Sequence, residues 1–134
     1  MEIIDRLSAS APAKPLLPQR WAGVIDTVGG DTLSITLRTT RRHGAVACCG
    51  NVASPNLDVT VYPFILRGIA LIGIDSATTE MDTRNAIWHH LAEEWKFTGL
   101  AFLASTIGLE DLDHHIEKIL NSRQIGRRVV DLND

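Results

Sequence analysis

The sequence has no apolar run approaching the roughly 20 residues of a membrane span, and no cluster of Lys and Arg that would argue for nucleic acid. Its formal charge of −3 is too small to select a partner by field alone. Its first residues, Met1-Glu2-Ile3-Ile4-Asp5-Arg6, lack the basic-then-apolar order of a secretory signal, so the expected location is the cytoplasm. There are only two cysteines, the neighbours Cys48 and Cys49. A disulfide between adjacent residues is strained, and two thiols cannot complete a four-ligand zinc site. Buried thiols on a core strand are the expected reading, with a redox switch as the alternative. HExxH is absent, as is the G-x-S-x-G elbow of a nucleophilic serine, and there is no internal repeat and no low-complexity segment.

What is present is a repeated strand that ends in glycine. Trp21-Ala22-Gly23-Val24-Ile25-Asp26-Thr27-Val28-Gly29-Gly30 reads as a buried strand over 23–28 running into a turn. Ala45-Val46-Ala47-Cys48-Cys49-Gly50 repeats the logic over 44–49, and Ile69 to Asp75 repeats it over 69–75. Between them lie a helix from Asp31, the expected N-cap, to about Arg41, and a short helical segment from Thr60 to Leu66. After Ser76 the pattern turns helical. Thr83 to Trp95 sets Ala86, Ile87, Leu91 and Trp95 on one face, and Leu109 to Leu120 sets Leu112, Ile116, Ile119 and Leu120 inward. Residues 102–107 read as a short strand, and Arg127 to Leu132 as a last strand after Gly126.

Strands alternating with helices imply βαβ units and a parallel sheet. The expected organisation is a lead-in connector over 1–20, carrying Pro12, Pro15 and Pro18, and one α/β domain over 21–134. Ligands of such sheets sit beyond the carboxyl ends of the strands. The residues to inspect are therefore Val28-Gly29-Gly30, Gly50-Asn51-Val52 and Asp75-Ser76.

Several residues invite functional readings. The pairs His89-His90 and His114-His115 cannot converge on one ion, because helix neighbours point about 100° apart. They read as solvent-facing. Ser76 lacks a histidine partner in the sequence and reads as a hydrogen-bonding residue at the ligand edge rather than a nucleophile. Asp26, inside an apolar strand, must be paired; a carboxylate accepting local hydrogen bonds is favoured over a catalytic one. Trp88 and Trp95, seven apart, read as core packing rather than a base-stacking platform. Arg67 either binds an anion or caps the last carbonyls of the short helix before it. Arg127 and Arg128 flank the last strand.

These segments closely resemble the medium-chain dehydrogenase/reductase superfamily, in its zinc-free quinone-oxidoreductase-like branch that includes acryloyl-CoA reductases. The carrying residues are Trp21 to Gly30, Gly44-Ala45-Val46-Ala47 with Cys49-Gly50, Pro63-Phe64-Ile65-Leu66-Arg67-Gly68, Gly73-Ile74-Asp75-Ser76, and Gly126-Arg127 with Val129-Val130. The resemblance runs from about Pro15 onward. It implies the C-terminal half of a Rossmann-type parallel sheet with flanking helices, followed by two helices and a terminal strand. It implies an NADPH-dependent oxidoreductase that passes hydride to the β-carbon of an α,β-unsaturated carbonyl compound. Along the nicotinamide half of the cofactor it implies Asn51, where many relatives carry leucine, with Ile65 through its backbone and Ser76 beside it. It implies Arg127 near the cofactor mouth. It implies no metal, and no catalytic residue in this stretch.

The glycine-rich loop that cradles the pyrophosphate, and the catalytic domain before it, have no counterpart here. NADPH binding by the chain alone is therefore expected to be weak or absent, and activity absent. The alternative is a non-catalytic α/β oligomerisation or binding module derived from such an enzyme. The strand at 23–28 should have an unpaired apolar edge, so a homo-oligomer or a complementing N-terminal part is the expected partner.

Overall fold

A computed structural model describes residues 14–121 and 123–132 of the chain. They divide into two compact units, with the boundary between Thr79 and Glu80. In the first unit three parallel strands, β1 (Trp21–Asp26), β2 (Thr40–Cys48) and β3 (Ala70–Gly73), lie side by side in chain order. Helix α1 (Gly30–Thr39) joins β1 to β2, and α2 (Tyr62–Arg67) precedes β3. Two crossovers stepping in one direction place their helices on one face of the sheet. The core records this: Leu33 and Leu37 of α1 pack on Val46 and Ile69, with Val24, Phe64 and Leu71 around them. Leu37 and Val46 are fully buried.

Register decides which residues reach that core. Val24, Val46 and Leu71 are level across the strands and point to the helices. One residue on, Ile25, Ala47 and Ile72 are level and point to the opposite face, where Ile25 is 80% exposed and Ile72 47%. Parallel sheets are normally covered on both faces, and this one leaves apolar side chains open on its second.

Helix α1 also buries hydroxyls, and local geometry satisfies them. Ser34 Oγ donates to Gly30 O (3.1 Å), Thr39 Oγ1 to Ile35 O (2.9 Å) and Thr40 Oγ1 to Thr36 O (2.8 Å). The N-cap is Gly29, not the expected Asp31, which lies in the first turn. The turn before it needs a left-handed residue, and Gly29 has φ 72°. A side chain there would also run into the Ser54 carbonyl. Strand β1 accordingly ends at Asp26, two residues before the expected limit, and Thr27-Val28 enter the turn.

The lead-in 14–20 belongs with this unit. Leu17 N donates to Arg38 O (2.9 Å) and Arg20 N to Thr39 O (2.7 Å), so the segment runs along the end of α1.

The second unit holds α3 (Met81–Ala92), β4 (Ala104–Ile107), α4 (Leu112–Leu120) and β5 (Arg127–Val130). Strands β4 and β5 pair in parallel, Thr106 opposite Val129. The elements match expectation, but the expected inward faces do not. Ile87, Leu91, Ile116, Ile119 and Leu120 are all exposed, and neither helix has a buried residue. Trp88 and Trp95 are 65% and 57% exposed rather than core. Among the described residues no apolar side chain beyond Ile69 is buried.

Candidate functional site

The carboxyl ends of β1, β2 and β3 bring three turns to one edge of the sheet. Asp26, at the end of β1, is only 4% exposed, and its Oδ2 accepts the Gly29 N–H at 2.9 Å. This is the structural role favoured from sequence: the carboxylate closes the turn that launches α1. Cys48 Sγ lies 3.8 Å from the same oxygen, and Cys49 Sγ 3.4 Å from the Asp26 carbonyl. The thiols correct the expectation of burial. Cys48 is half-buried and Cys49 exposed, because β2 ends at Cys48 and its successor turns out of the sheet.

Beyond β2, Cys49 N donates to Asp26 O (2.9 Å) and Ala53 N to Val28 O (2.8 Å), which bind the 49–54 loop to the β1 turn. Gly50 fits there because a Cβ would lie 2.5 Å from the Thr27 carbonyl. Its neighbour Asn51 is exposed, and among the described residues its carboxamide has no hydrogen-bond partner. A polar side chain held at a strand end with unused donors and an acceptor can serve a ligand.

Beyond β3, Ile74 N donates to Cys48 O (2.9 Å), carrying the ladder to the edge. The Asp75 carboxylate then accepts hydrogen bonds from Ala77 N (3.1 Å), Thr78 N (3.2 Å) and the Thr78 hydroxyl. The Thr78 hydroxyl is the largest influence holding the Asp75 carboxyl below its ordinary pKa, followed by the Thr78 N–H; slight burial works against them, and the Ala77 N–H adds to the lowering. Thr79 Oγ1 donates to Asp75 O (2.6 Å). These bonds fix the 75–79 turn and with it the backbone of Ser76. Asn51 and Ser76 thus stand beyond adjacent parallel strands at one edge.

The other two residues lie elsewhere. Ile65 is in α2 and 67% exposed. The C-terminal end of α2 is tied to the opposite end of the sheet by Arg67. Arg127 opens β5 in the second unit, where it lines a cavity of about 360 Å³ with Arg128, His115 and Ile119.

Arg67 proves to be a capping residue, with targets that the sequence did not indicate. Its Nη1 donates to Arg38 O (2.8 Å) and Thr40 O (3.0 Å), and its Nη2 to Leu17 O (2.5 Å). These carbonyls belong to the end of α1, the start of β2 and the lead-in, not to α2. The histidine pairs face solvent or nearby polar groups. His90 stacks on Trp95 (4.8 Å) and pairs with Glu94 (2.7 Å), while His115 meets Gln124 (3.0 Å). Among the described residues no group of His, Cys, Asp and Glu could hold a metal ion, and no helix is long and apolar enough to cross a membrane.

A parallel sheet with glycine-ended turns and exposed polar residues at its carboxyl edge is what a dinucleotide uses, and known proteins share this arrangement. The chain is 38% identical over 133 residues to the quinone oxidoreductase YhfP of Bacillus subtilis, a match spanning 98% of the chain and 40% of YhfP. It is 35% identical over 120 residues to acrylyl-CoA reductase AcuI of Ruegeria pomeroyi, covering 90% of the chain and 36% of AcuI. The crystal structure of Escherichia coli K-12 YhdH with bound NADPH superposes with a TM-score of 0.82 at 36% identity, over 92% of this chain and 38% of that one. Its relatives are oxidoreductases of the medium-chain dehydrogenase/reductase superfamily. The matched stretch is the C-terminal portion of those proteins, and the chain spans about two-fifths of their length. YhfP has itself been crystallised with NAD bound, so nicotinamide dinucleotide binding belongs to the family. No protein-family model matches the chain.

Proposed function

We propose that this chain is the nicotinamide-side half of an NADPH-dependent reductase for α,β-unsaturated carbonyl compounds of the quinone or acryloyl thioester type, and that it is inactive by itself. The observation that carries the reading is the shared edge: the unpartnered Asn51 carboxamide and the pinned 75–79 turn stand beyond neighbouring strands. Exposed polar groups on rigid turns fit a planar carboxamide ring, which has donors and an acceptor of its own.

When bound, the dinucleotide supplies hydride for the β-carbon of the substrate, and a proton then reaches the α-carbon. The chain's own part is to hold and orient. Asn51 exchanges hydrogen bonds with the nicotinamide amide. Asp75 acts through Ser76 by fixing its backbone. Ile65 contributes through its main chain, and Arg127 is a further candidate cofactor contact. None of these residues moves a proton or attacks substrate, so no catalytic residue is assigned. The reading places the chain in the cytoplasm, where its two thiols stay reduced.

The alternative is a non-catalytic binding or oligomerisation module, favoured by the many exposed apolar side chains of the second unit. NADPH titration followed by nicotinamide fluorescence separates the two. The half-site reading expects weak saturable binding in the millimolar range, about −4 kcal/mol, lowered by Asn51→Ala. A flat response to about 10 mM NADPH, some 1.4 kcal/mol weaker, selects the module.

A further inference from the structure

Among the described residues Asp26 is the only buried carboxylate. Its acceptors are divided between two tasks. The main-chain O receives the Cys49 N–H (2.9 Å), and Oδ2 receives the Gly29 N–H (2.9 Å). In an ordinary β-turn the carbonyl of the first residue accepts from the N–H of the fourth. Here Asp26 is first and Gly29 fourth, but the carbonyl is committed to Cys49 and the carboxylate stands in for it. One residue therefore closes the turn after β1 and anchors the loop after β2.

The same turn holds that loop along its length. Gly50 lies against the Thr27 carbonyl, and Ala53 N donates to Val28 O (2.8 Å). Between them Asn51 lies against Gly29, so closely that a Cβ on Gly29 would stand 3.1 Å from Asn51 Cα. Among the described residues the Asn51 carboxamide has no hydrogen-bond partner of its own, so its backbone alone orients it. That backbone rests on Gly29, and Gly29 is held at φ 72° with its N–H on Asp26.

We infer that Asp26 is a positioning residue for the cofactor: acting through Gly29, it fixes where Asn51 presents its carboxamide to the nicotinamide. The inference rests on the reading of the Asn51–Ser76 edge as a nicotinamide site. The contacts determine what removing the carboxylate does. A buried N–H does not stay unpaired, so the Gly29 N–H turns to the acceptor an ordinary turn uses, the Asp26 carbonyl. There it competes with the Cys49 N–H, and the loop loses its first anchor. Asn51 keeps its side chain but not its fixed place, and hydrogen bonds weaken steeply with poor alignment. Asn at position 26 preserves the arrangement, because its Oδ1 accepts the same N–H.

The test compares Asp26→Ala, Asp26→Asn and Ala53→Pro with the unaltered chain. Hydrogen exchange at the Cys49 amide reads the loop, urea titration reads the fold, and nicotinamide fluorescence reads NADPH affinity. Asp26→Ala should speed exchange at Cys49 and weaken NADPH about fivefold, the worth of one ordinary hydrogen bond. Asp26→Asn should restore both. In an Asn51→Ala background Asp26→Ala should cost no further affinity, because residues acting through one contact are not additive. An equal loss in both backgrounds marks a purely structural Asp26 and overturns the proposal, as does a failure of Asn to rescue. Should Asp26→Ala not fold, Ala53→Pro applies the same logic at an exposed position, removing the N–H that binds Val28 O. It should weaken NADPH by a similar factor at an unchanged urea midpoint, and unchanged affinity in that variant overturns the proposal. No NADPH response from the unaltered chain refutes the half-site reading instead. Faster Cys49 exchange in Asp26→Ala, restored by Asn, then upholds the hold of Asp26 on the loop, and unchanged exchange overturns it.

Discussion

Replacing Arg67 with Ala should cost more stability than any other single polar substitution in the first unit. Arg67 is 9% exposed, and its guanidinium donates to three main-chain carbonyls from three segments, Leu17, Arg38 and Thr40. A hydrogen bond from a charged donor contributes about 1.5–3 kcal/mol, and an orphaned buried acceptor costs about 1–3 kcal/mol. The Arg38 O bond is only part-buried, so that carbonyl recovers part of this from water, while the bonds to Leu17 O and Thr40 O are buried. The expected net loss is therefore about 3–4 kcal/mol, a large share of the roughly 5–15 kcal/mol that holds a domain folded. With a urea slope of about 2 kcal/mol per molar, the unfolding midpoint should fall by roughly 1.5–2 M. Circular dichroism during urea titration reads this directly. Arg67→Lys should recover less than half, because a single ammonium cannot reach carbonyls served by two separate nitrogens. A loss below about 1 kcal/mol, or full rescue by Lys, would refute the account of Arg67 as the tie between lead-in, α1 and β2.

Further expectations follow from the same geometry. Because the Thr78 and Ala77 hydrogen bonds depress the Asp75 pKa, the order they give to the 75–79 turn is present above the ordinary carboxylate pKa and lost as pH falls through the lowered one. The Thr78 amide resonance should titrate there, and a midpoint at or above the ordinary value would contradict the assignment. Gly29→Ala should destabilise by about 2–3 kcal/mol, since it imposes both a left-handed backbone and a clash with Ser54 O; a neutral result in thermal melts would show that the turn has another conformation. His90→Ala should shift unfolding by less than about 1 kcal/mol, its partner Glu94 being a surface residue, although Trp95 fluorescence should change as the stacked ring is lost.

The sequence was most informative where a local pattern determines structure. Glycine-ended β-branched runs marked all three strands of the first unit, and the chain positions of Asn51 and Ser76 followed from them. It was least informative where structure depends on distant residues. Arg67 reaches carbonyls 27, 29 and 50 positions away, and no local spacing announces such contacts. The apolar stripe of α4 is real, but periodicity shows only that a face is apolar, not that anything covers it. Ile116 and Ile119 are exposed for that reason. Cys49 was misplaced by a single residue of strand length, which is enough to turn a side chain out of a sheet. The helix start was set by backbone conformation at Gly29 rather than by the capping side chain that composition suggested.

The central claim is that the carboxyl edge between Asn51 and Ser76 receives the nicotinamide. Titrating NADPH into isotopically labelled protein and following amide shifts residue by residue tests it most directly. The account predicts concentration-dependent shifts centred on Gly50, Asn51, Asp75 and Ser76, with the amino ends of the strands, around Arg41 and Arg42, unmoved. Shifts centred on those amino ends, or none at these four residues at saturating cofactor, would contradict it.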